Sequence, residues 1–380
     1  MFELLLIVVF FILYGMFGYL LSLMILSFFK KPILLNREEI TPQVTLMIAA
    51  YNEEKFIAQK IQNSLEIDYP RDKLKILVVS DGSTDRTDQI VRDFPEAELL
   101  RVEGRVGKTE ARNQAVLNDK SEIIVFSDAT AVYEKDAIRK LVRNFADPSV
   151  GMVSGHLKYR DQSNGSMGLS TKMYWFYEKL IKKYQSHLRT LTGAVGCINA
   201  FRRELYHVLP PHIIEDFTEP LMIVAQNYRV VYEREAIAYE RTTQNAGQEF
   251  KMRIRVIRGG MSGFLYALPK LVKSGELLAV FQLVSHKVMR WLMPVFFIAL
   301  FILSGLLALQ QSSSFISLFF SIQAFCYIMA IIGIRLRSGG MIGKLLSIPS
   351  YFVVVNAASL VALYKTMTSK LESTWETNIY

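Results

Sequence analysis

Cysteine and histidine are scarce in this chain of 380 residues. The two cysteines, Cys197 and Cys326, cannot build a disulfide framework, and we expect both to be reduced. Four of the histidines lie between positions 156 and 212, and none of them shows the short spacing of a metal-binding motif (His156, His187, His207 and His212). The sequence therefore excludes a disulfide-stapled module and gives no sign of a metal centre built from cysteine or histidine.

Charge is nearly absent from the first 29 residues, among which Glu3 is the only charged one. This apolar stretch is long enough for a transmembrane helix, which needs roughly 20 residues. A signal peptide is the alternative interpretation. It fits poorly, because no basic segment precedes the apolar run and no small-x-small cleavage site follows it. We therefore predict a retained transmembrane helix within residues 1–30.

Three more apolar stretches lie near the C-terminus, at about 292–309, 314–334 and 345–365. A buried helical hairpin in a soluble domain is the alternative, but three such stretches close together favour a membrane. We predict three transmembrane helices within residues 292–365, followed by a tail at 366–380.

Basic residues are distributed unequally between the predicted loops. Lys30, Lys31 and Arg37 follow the first span, and the segment from Arg335 to Lys344 is basic, whereas the loop near residue 311 carries no charge. The positive-inside rule then places the N-terminus and the C-terminal tail outside and the segment 30–290 in the cytoplasm, in a multi-pass cell (inner or plasma) membrane. The net charge of +9 suits a domain that lies on an anionic lipid surface. We expect no nucleic-acid partner, because no nucleic-acid-binding motif accompanies this charge.

Strand-like and helix-like segments alternate between about 41 and 150. This order predicts an α/β fold with a mainly parallel sheet covered by helices, and ligands at the carboxyl ends of the strands. Asp81 ends one strand-like run ("KLKILVVSD") and Asp128 ends another ("SEIIVFSD"). Two carboxylates at one sheet edge indicate a ligand that carries a cation or hydrogen-bond donors.

Five short motifs follow one another along this region. They are "IAAYNEE" (48–54), "VVSDGSTDRT" (78–87), "GKTEARNQA" (107–115), "FSDAT" (126–130) and "IEDFTEPL" (214–221). Each is weak alone, since the second also fits a well-made βα turn and the last an acidic helix start. In this order, over about 45–260, they resemble the motifs of family 2 glycosyltransferases, which are inverting enzymes with a nucleotide-sugar-binding GT-A fold. The resemblance implies a cytoplasmic GT-A domain at 41–248.

The resemblance also implies roles for individual residues. It assigns the general base to Asp216, with Glu215 beside it, and the contact with the nucleotide base to Asp81. The remaining nucleotide-binding positions that it implies are Ala50, Tyr51, Glu53, Lys108 and Asp128.

A divalent metal ion, Mg²⁺ or Mn²⁺, is implied at the family's Asp-x-Asp position. A departing nucleoside diphosphate carries several negative charges, which such an ion neutralises, and both ions favour oxygen ligands. Here the position reads Asp128–Ala129–Thr130. Either the Thr130 hydroxyl or a water replaces the second carboxylate, or the metal site is too weak to work.

Basic amphipathic interfacial helices are predicted at 249–291, just before the membrane spans. Related processive synthases carry a Gln-x-x-Arg-Trp motif here, and this chain has Met252, Arg255 and Val256 at the three defined places. Arg255 and Arg258 are expected to balance diphosphate charge, and a purely interfacial role is the alternative. The choice between processive and single addition stays open.

The predicted activity is that of a membrane-bound hexosyltransferase. It would transfer a sugar with inversion from a nucleotide sugar, with a UDP-sugar favoured. The acceptor would be a growing cell-envelope or extracellular polysaccharide or a lipid-linked glycan, and a second copy or a partner membrane protein would complete the assembly. A catalytically inactive nucleotide-sugar-binding scaffold of a polysaccharide export complex is the alternative, and Thr130 is its main support.

Overall fold

The computed structural model describes residues 1–29, 36–160, 168–241, 246–310, 313–336 and 340–369. The chain begins with a long apolar helix, formed by α1 (Phe2–Leu13), a π-helical turn (Tyr14–Gly18) and α2 (Tyr19–Phe29). Several predicted topology signals lie outside the described residues: Lys30, Lys31, Arg337 and most of the tail.

The first half of the globular domain alternates strands and helices. It comprises β1 (Val44–Ala50), α3 (Ile57–Leu65), β2 (Leu74–Asp81), α4 (Thr87–Arg92), β3 (Ala97–Val102), α5 (Lys108–Asn118) and β4 (Ile123–Asp128). The strands pair in the order β3-β2-β1-β4, and every pair is parallel. The central strands are continuous apolar runs because helices cover both faces of the sheet. The predicted parallel α/β arrangement is confirmed here.

The second half of the domain extends the same sheet with mixed pairing. It comprises β5 (Val132–Tyr133), α6 (Ala137–Val142), β6 (Val150–Arg160), α7 (Gly168–Leu188), β7 (Asn199–Arg202), α8 (Glu215–Ala225) and β8 (Arg229–Arg241). The sheet continues from β4 as β7-β6-β8-β5. Strand β7 is antiparallel to β4 and β6, β6 is parallel to β8, and β5 is antiparallel to β8. The direction of the sheet therefore changes next to β4, at whose end Asp128 lies.

The C-terminal part is helical. It comprises α9 (Ala246–Lys273), α10 (Leu277–Leu283), a π-helical turn (Val284–Val288), α11 (Met289–Leu309), α12 (Ser314–Leu336) and α13 (Gly340–Thr368). Four helices of the described chain are long and apolar enough to cross a membrane: Phe2–Phe29, Leu277–Leu309, Ser314–Arg335 and Ile348–Thr368. One N-terminal and three C-terminal spans agree with the sequence prediction, and the chain is a multi-pass membrane protein.

The second candidate span starts earlier than the sequence indicated. It runs without a break from Leu277 to Leu309, so the last part of the predicted interfacial segment 249–291 is continuous with the span. The helix starts at Leu277 because a π-helical turn keeps it continuous across the polar residues Ser285 and His286.

Helix α9 connects the globular domain to the membrane helices. A Cβ atom on Gly259 would overlap the side chain of Ile214, and one on Gly263 would overlap Thr218, so α9 packs very closely against the start of α8. On another side of α9, the Arg253 guanidinium lies 5.3 Å from the ring centroid of Tyr351 in α13. The amphipathic helix thus holds α8 against the membrane-spanning part.

Candidate active site

The loops that follow β1 and β2 are held together by hydrogen bonds. Asn52 adopts a positive φ of 55°, and its Oδ1 accepts a hydrogen bond of 2.8 Å from the backbone N–H of Thr84. The backbone N–H of Glu53 donates to Thr87 Oγ1 over 2.8 Å. Beside this junction, the Arg105 guanidinium lies 4.2 Å from the ring centroid of Tyr51. The first two motifs therefore form one rigid rim at the carboxyl edge of the sheet.

Asp81 anchors the loop that leads into α5. Its two carboxylate oxygens accept hydrogen bonds from the backbone N–H groups of Val106 (2.8 Å) and Gly107 (3.0 Å). Gly82 has a φ of 66°, and a Cβ atom there would overlap the carbonyl of Gly104. The acidic residue and its glycine thus fix where α5, and with it Lys108, begins. The predicted contact of Asp81 with a nucleotide base stays a prediction.

Two cations and two carboxylates form an ionic cluster below this rim. Asp128 Oδ1 lies 2.7 Å from Lys108 Nζ and 3.3 Å from Arg112 Nη2. Glu215 Oε1 lies 2.8 Å from Arg112 Nη1 and 3.5 Å from Lys108 Nζ. Lys108 and Arg112 are one helical turn apart and share a face of α5, while the carboxylates come from the end of β4 and the start of α8. The cluster joins three of the predicted motifs.

The pKa values within the cluster reflect these pairs. Burial acts to raise the pKa of Asp128 and of Glu215, but the nearby Lys108 and Arg112 charges outweigh it and hold both below the ordinary carboxyl value. Burial and the Arg112 charge act to lower the pKa of Lys108, and the two carboxylates raise it above its usual value. All these side chains are therefore charged at neutral pH.

Asp216, the predicted base, behaves differently from its neighbours. Burial, and next the negative charge of Glu215, raise its pKa to about 6. A Cβ atom on Gly196 would lie 2.9 Å from Asp216 Oδ2, so only a glycine leaves this carboxylate its room. The backbone carbonyl of Asp216 accepts a hydrogen bond of 3.1 Å from the N–H of Ala194. A carboxyl group with this pKa is ionised at neutral pH and is basic enough to accept a proton there.

Two further carboxyl groups lie near Asp128. Burial, followed by the Asp128 charge, raises the pKa of Glu53 and that of Glu240 to about 7. Beneath them, the buried Lys60 ammonium donates to the carbonyl of Ala131 over 2.7 Å, and burial lowers its pKa to about 7. Three carboxyl groups, those of Asp128, Glu53 and Glu240, therefore lie near one another around the end of β4.

The donor atoms at the end of β4 fit a hard divalent cation. Asp128 is partly exposed, and Thr130 is half-buried two residues later. In the part of the chain that the structure describes, no three side chains from histidine, cysteine, aspartate and glutamate are placed to cage a metal ion. An ion held by Asp128 and Thr130 would need further oxygens from water or phosphate, as Mg²⁺ and Mn²⁺ usually do.

Two predicted arginines, Arg255 and Arg258, lie on α9, and two charged residues of the site were not predicted. Arg258 donates from Nη2 to Ser369 Oγ over 3.0 Å, which ties α9 to the end of α13. Its predicted diphosphate role, like that of Arg255, stays a prediction. Sequence reasoning missed Arg112 and Glu240. The one-turn spacing from Lys108 could have identified Arg112, but no local signal pointed to Glu240.

The fold and the site together define a GT-A type domain with four candidate membrane helices. The family model described as "Glycosyl transferase family 2" matches residues 45–209. Residues 45–209 therefore match a family 2 glycosyltransferase domain, as the sequence predicted.

Individual relatives and one solved structure support this assignment. The poly-beta-1,6-N-acetyl-D-glucosamine synthase of Staphylococcus aureus (strain COL) is 27% identical over 243 residues, which are 61% of this chain and 57% of the relative. The synthase of the same name from Staphylococcus epidermidis is 24% identical over 242 residues, 62% of this chain and 58% of the relative. The chain thus spans less than two thirds of these relatives.

The solved structure is "Mannosyltransferase PcManGT from Pyrobaculum calidifontis in complex with GDP-Man and Mn2+". It matches with a TM-score of 0.72 at 22% identity and covers 96% of this chain and 99% of its own. At this identity the match confirms the fold and extends it over the helical C-terminal part.

Proposed function

We propose that this protein is a membrane-bound hexosyltransferase that transfers a sugar with inversion from a nucleotide sugar to a glycan or lipid-linked acceptor. A UDP-sugar is our favoured donor. The observation that carries the proposal is the presence, at one sheet edge, of the ionic cluster around Asp128 together with a carboxyl group, that of Asp216, whose pKa is raised to about 6.

The donor would lie across the carboxyl ends of β1, β2 and β4. Tyr51 and Asp81 border the place for the nucleoside, with the backbone at Ala50 and the carboxyl group of Glu53 beside it, and Lys108 faces the diphosphate. Asp128 and Thr130 would hold a Mg²⁺ or Mn²⁺ ion, which neutralises charge on the diphosphate when bound. The GT-A neighbour solved with GDP-Man and Mn²⁺ supports both ligands.

Asp216 would act on the acceptor. Its carboxylate removes the proton of an acceptor hydroxyl while the hydroxyl oxygen bonds to the anomeric carbon from the side opposite the diphosphate. The bond from that carbon to the diphosphate oxygen breaks, and the electron pair leaves with the nucleoside diphosphate. Attack from the opposite side inverts the anomeric centre. Glu215, paired with Arg112, keeps Asp216 beside a fixed negative charge.

The acceptor is less defined than the donor. The named synthases favour a cell-envelope or extracellular polysaccharide, and the close contact of α8 with α9, the helix that leads to the candidate membrane spans, equally suits a lipid-linked acceptor. Four spans leave little room for a channel within one chain, so we expect a second copy or a partner membrane protein.

An inactive scaffold is the second candidate. Thr130 in place of a second metal-binding carboxylate favours it. The fully formed ionic cluster and the raised pKa of Asp216 favour the enzyme, because a scaffold that only binds a nucleotide sugar needs no base.

Native membranes offered radiolabelled nucleotide sugars test the activity. We expect one donor to be consumed and its label to enter a lipid-linked or polymeric product, the length of which distinguishes single from processive addition. Membranes with Asp216→Asn supply the matched control. Binding of nucleotide sugar without transfer or hydrolysis of any donor would support the scaffold instead.

Reporter fusions test the orientation in the cell membrane. A reporter after Tyr380 should be extracytoplasmic, and one inserted between Arg335 and Lys344 should be cytoplasmic, because basic loops stay inside. The opposite result at either place would contradict a cytoplasmic catalytic domain.

A further inference from the structure

Two cations share one oxygen of Asp128, and they differ in how firmly they are held. Arg112 has a side chain that is 1% exposed, lies 2.8 Å from Glu215 and stacks with its guanidinium 4.2 Å from the ring centroid of Phe126. Its planar fork is fixed by packing and by two carboxylates. Arg112 therefore cannot leave the cluster without depriving the buried Glu215 of its shortest ion pair.

Lys108 is in the opposite situation. Its side chain is 25% exposed and is the first of α5, directly after Gly107, whose φ is 94°. Its ammonium is a point charge on a flexible stem that can exchange one anionic partner for another. Its contact with Asp128, at 2.7 Å, is shorter than its contact with Glu215, at 3.5 Å. Asp128 is thus its main partner, and that partner is also the predicted metal ligand.

The charges of the cluster are already balanced. Asp128 and Glu215 contribute two negative charges, and Lys108 and Arg112 contribute two positive ones. Glu53 and Glu240, with pKa values of about 7, hold protons in part at neutral pH. A divalent cation that arrives alone meets an occupied carboxylate and two positive charges. A cation that arrives with a diphosphate brings the negative charge that Lys108 needs in exchange.

We propose that Lys108 is an exchangeable counter-ion of Asp128 and Arg112 a fixed one. Before a donor binds, the Lys108 ammonium pairs with the Asp128 carboxylate. When the donor binds, the ammonium pairs with the diphosphate instead, and Asp128 becomes available to the divalent cation. Metal and nucleotide consequently bind together, and the metal alone binds weakly. This inference rests on the proposed function and adds to it the coupling between the two ligands.

Binding of Mn²⁺ to the full-length protein in detergent, followed by the electron paramagnetic resonance signal of the free ion, tests the exchange. For the wild type we expect weak binding of Mn²⁺ alone and at least tenfold tighter binding with saturating UDP or GDP. In Lys108→Gln, Mn²⁺ alone should bind about tenfold more tightly than in the wild type, and the nucleotide should add little. Lys108→Arg, which keeps a cation on Asp128, should bind Mn²⁺ alone as weakly as the wild type.

Lys55→Gln is the matched control, because Lys55 is an exposed lysine in the loop after β1 and is not one of the four residues of the ionic cluster. It should retain both wild-type affinities. Equal affinity of the wild type and Lys108→Gln for Mn²⁺ alone would overturn the exchange, as would UDP and GDP binding that leaves the Mn²⁺ affinity unchanged. Failure of the wild type to bind either nucleotide by calorimetry would overturn the proposed function together with the exchange.

Discussion

The two sides of the active site each contain a partly buried aspartate, and the pKa values of the two shift in opposite directions. On the strand side, Asp128 ends β4, and its pKa is held below the ordinary value. On the helix side, Asp216 begins α8, and its pKa is raised to about 6. Burial acts to raise the pKa of both aspartates, so the neighbouring charges determine the direction of the net shift. Lys108 and Arg112 contact Asp128, whereas Asp216 has the negative charge of Glu215 beside it.

This difference separates two kinds of chemistry within one site. A carboxylate that stays ionised at every physiological pH suits a cation, while one with a pKa near neutrality suits proton transfer. Glu215 contributes to both sides, because it pairs with Arg112 and also raises the pKa of Asp216. Variants that change one side of the active site alone test this separation.

Removal of the strand-side carboxylate should have the largest effect. We expect Asp128→Ala to abolish metal-dependent transfer, because the end of β4 would lose its carboxylate ligand and Lys108 and Arg112 would lose one of their two carboxylate partners. Thr130→Ala should reduce transfer much less, since water can replace a hydroxyl ligand. Transfer from the favoured donor, measured across a Mn²⁺ series, checks both variants. Equal activity of Asp128→Ala and the wild type would contradict the metal assignment.

Removal of the helix-side base should have the next largest effect. Asp216→Asn keeps the shape and removes the basicity, so we expect transfer to fall about 10²–10⁴-fold, the usual contribution of general-base catalysis. Nucleotide-sugar binding, measured by calorimetry on the same preparation, should stay at the wild-type level. Lost donor binding would instead assign Asp216 a structural role.

Removal of the fixed cation between the two sides should have a moderate effect on stability. Arg112→Met leaves Glu215 without its shortest ion pair, and the loss of one partner of a buried pair typically costs about 3–5 kcal/mol. Denaturant or thermal unfolding in detergent measures this change. Arg92→Met, at an exposed position of α4, is the matched control and should change stability by less than about 0.5 kcal/mol. Equal stabilities of the two variants would contradict the structural role of Arg112.

The pH dependence should show the smallest change and separates the two sides without a mutation. The folded pKa of Asp216 is raised, and its basic form exists above that pKa, so kcat/KM should fall as pH drops through about 6 and level off above it. Asp128 stays ionised across that range, so its contribution to nucleotide-sugar binding should be nearly constant. Activity that is flat down to pH 5 would exclude Asp216 as the base.

The first half of the fold was predictable because its signals are local. The runs that end at Ala50, Asp81 and Asp128 are mostly apolar, as buried parallel strands require, and glycine, asparagine and aspartate follow them in the loops. The four membrane helices were predictable for the same reason, since length and hydropathy are properties of a continuous segment.

The second half of the sheet was less accessible. Strand β7 has four residues and pairs antiparallel to β4, and β8 comes to lie beside β6 across α7 and β7. These pairings join distant segments, so they depend on packing and have no local pattern. The neighbours of Asp128 show the same difference between local and distant signals. Lys108 was predicted from a motif, whereas Glu240 lies near the site only because β8 joins the sheet.

Local sequence was enough to predict the α/β class, the order of the five motifs and the four apolar spans, because each of these depends on neighbouring positions along the chain. The charged residues were also known from the sequence, but their contacts depend on the fold. The tertiary structure set Arg112 between Asp128 and Glu215, set the negative charge of Glu215 beside Asp216, and packed Gly259 and Gly263 of α9 against α8. The physical reason is that pKa values and ion pairs depend on distances of a few ångströms between residues far apart in the chain, and packing alone sets those distances.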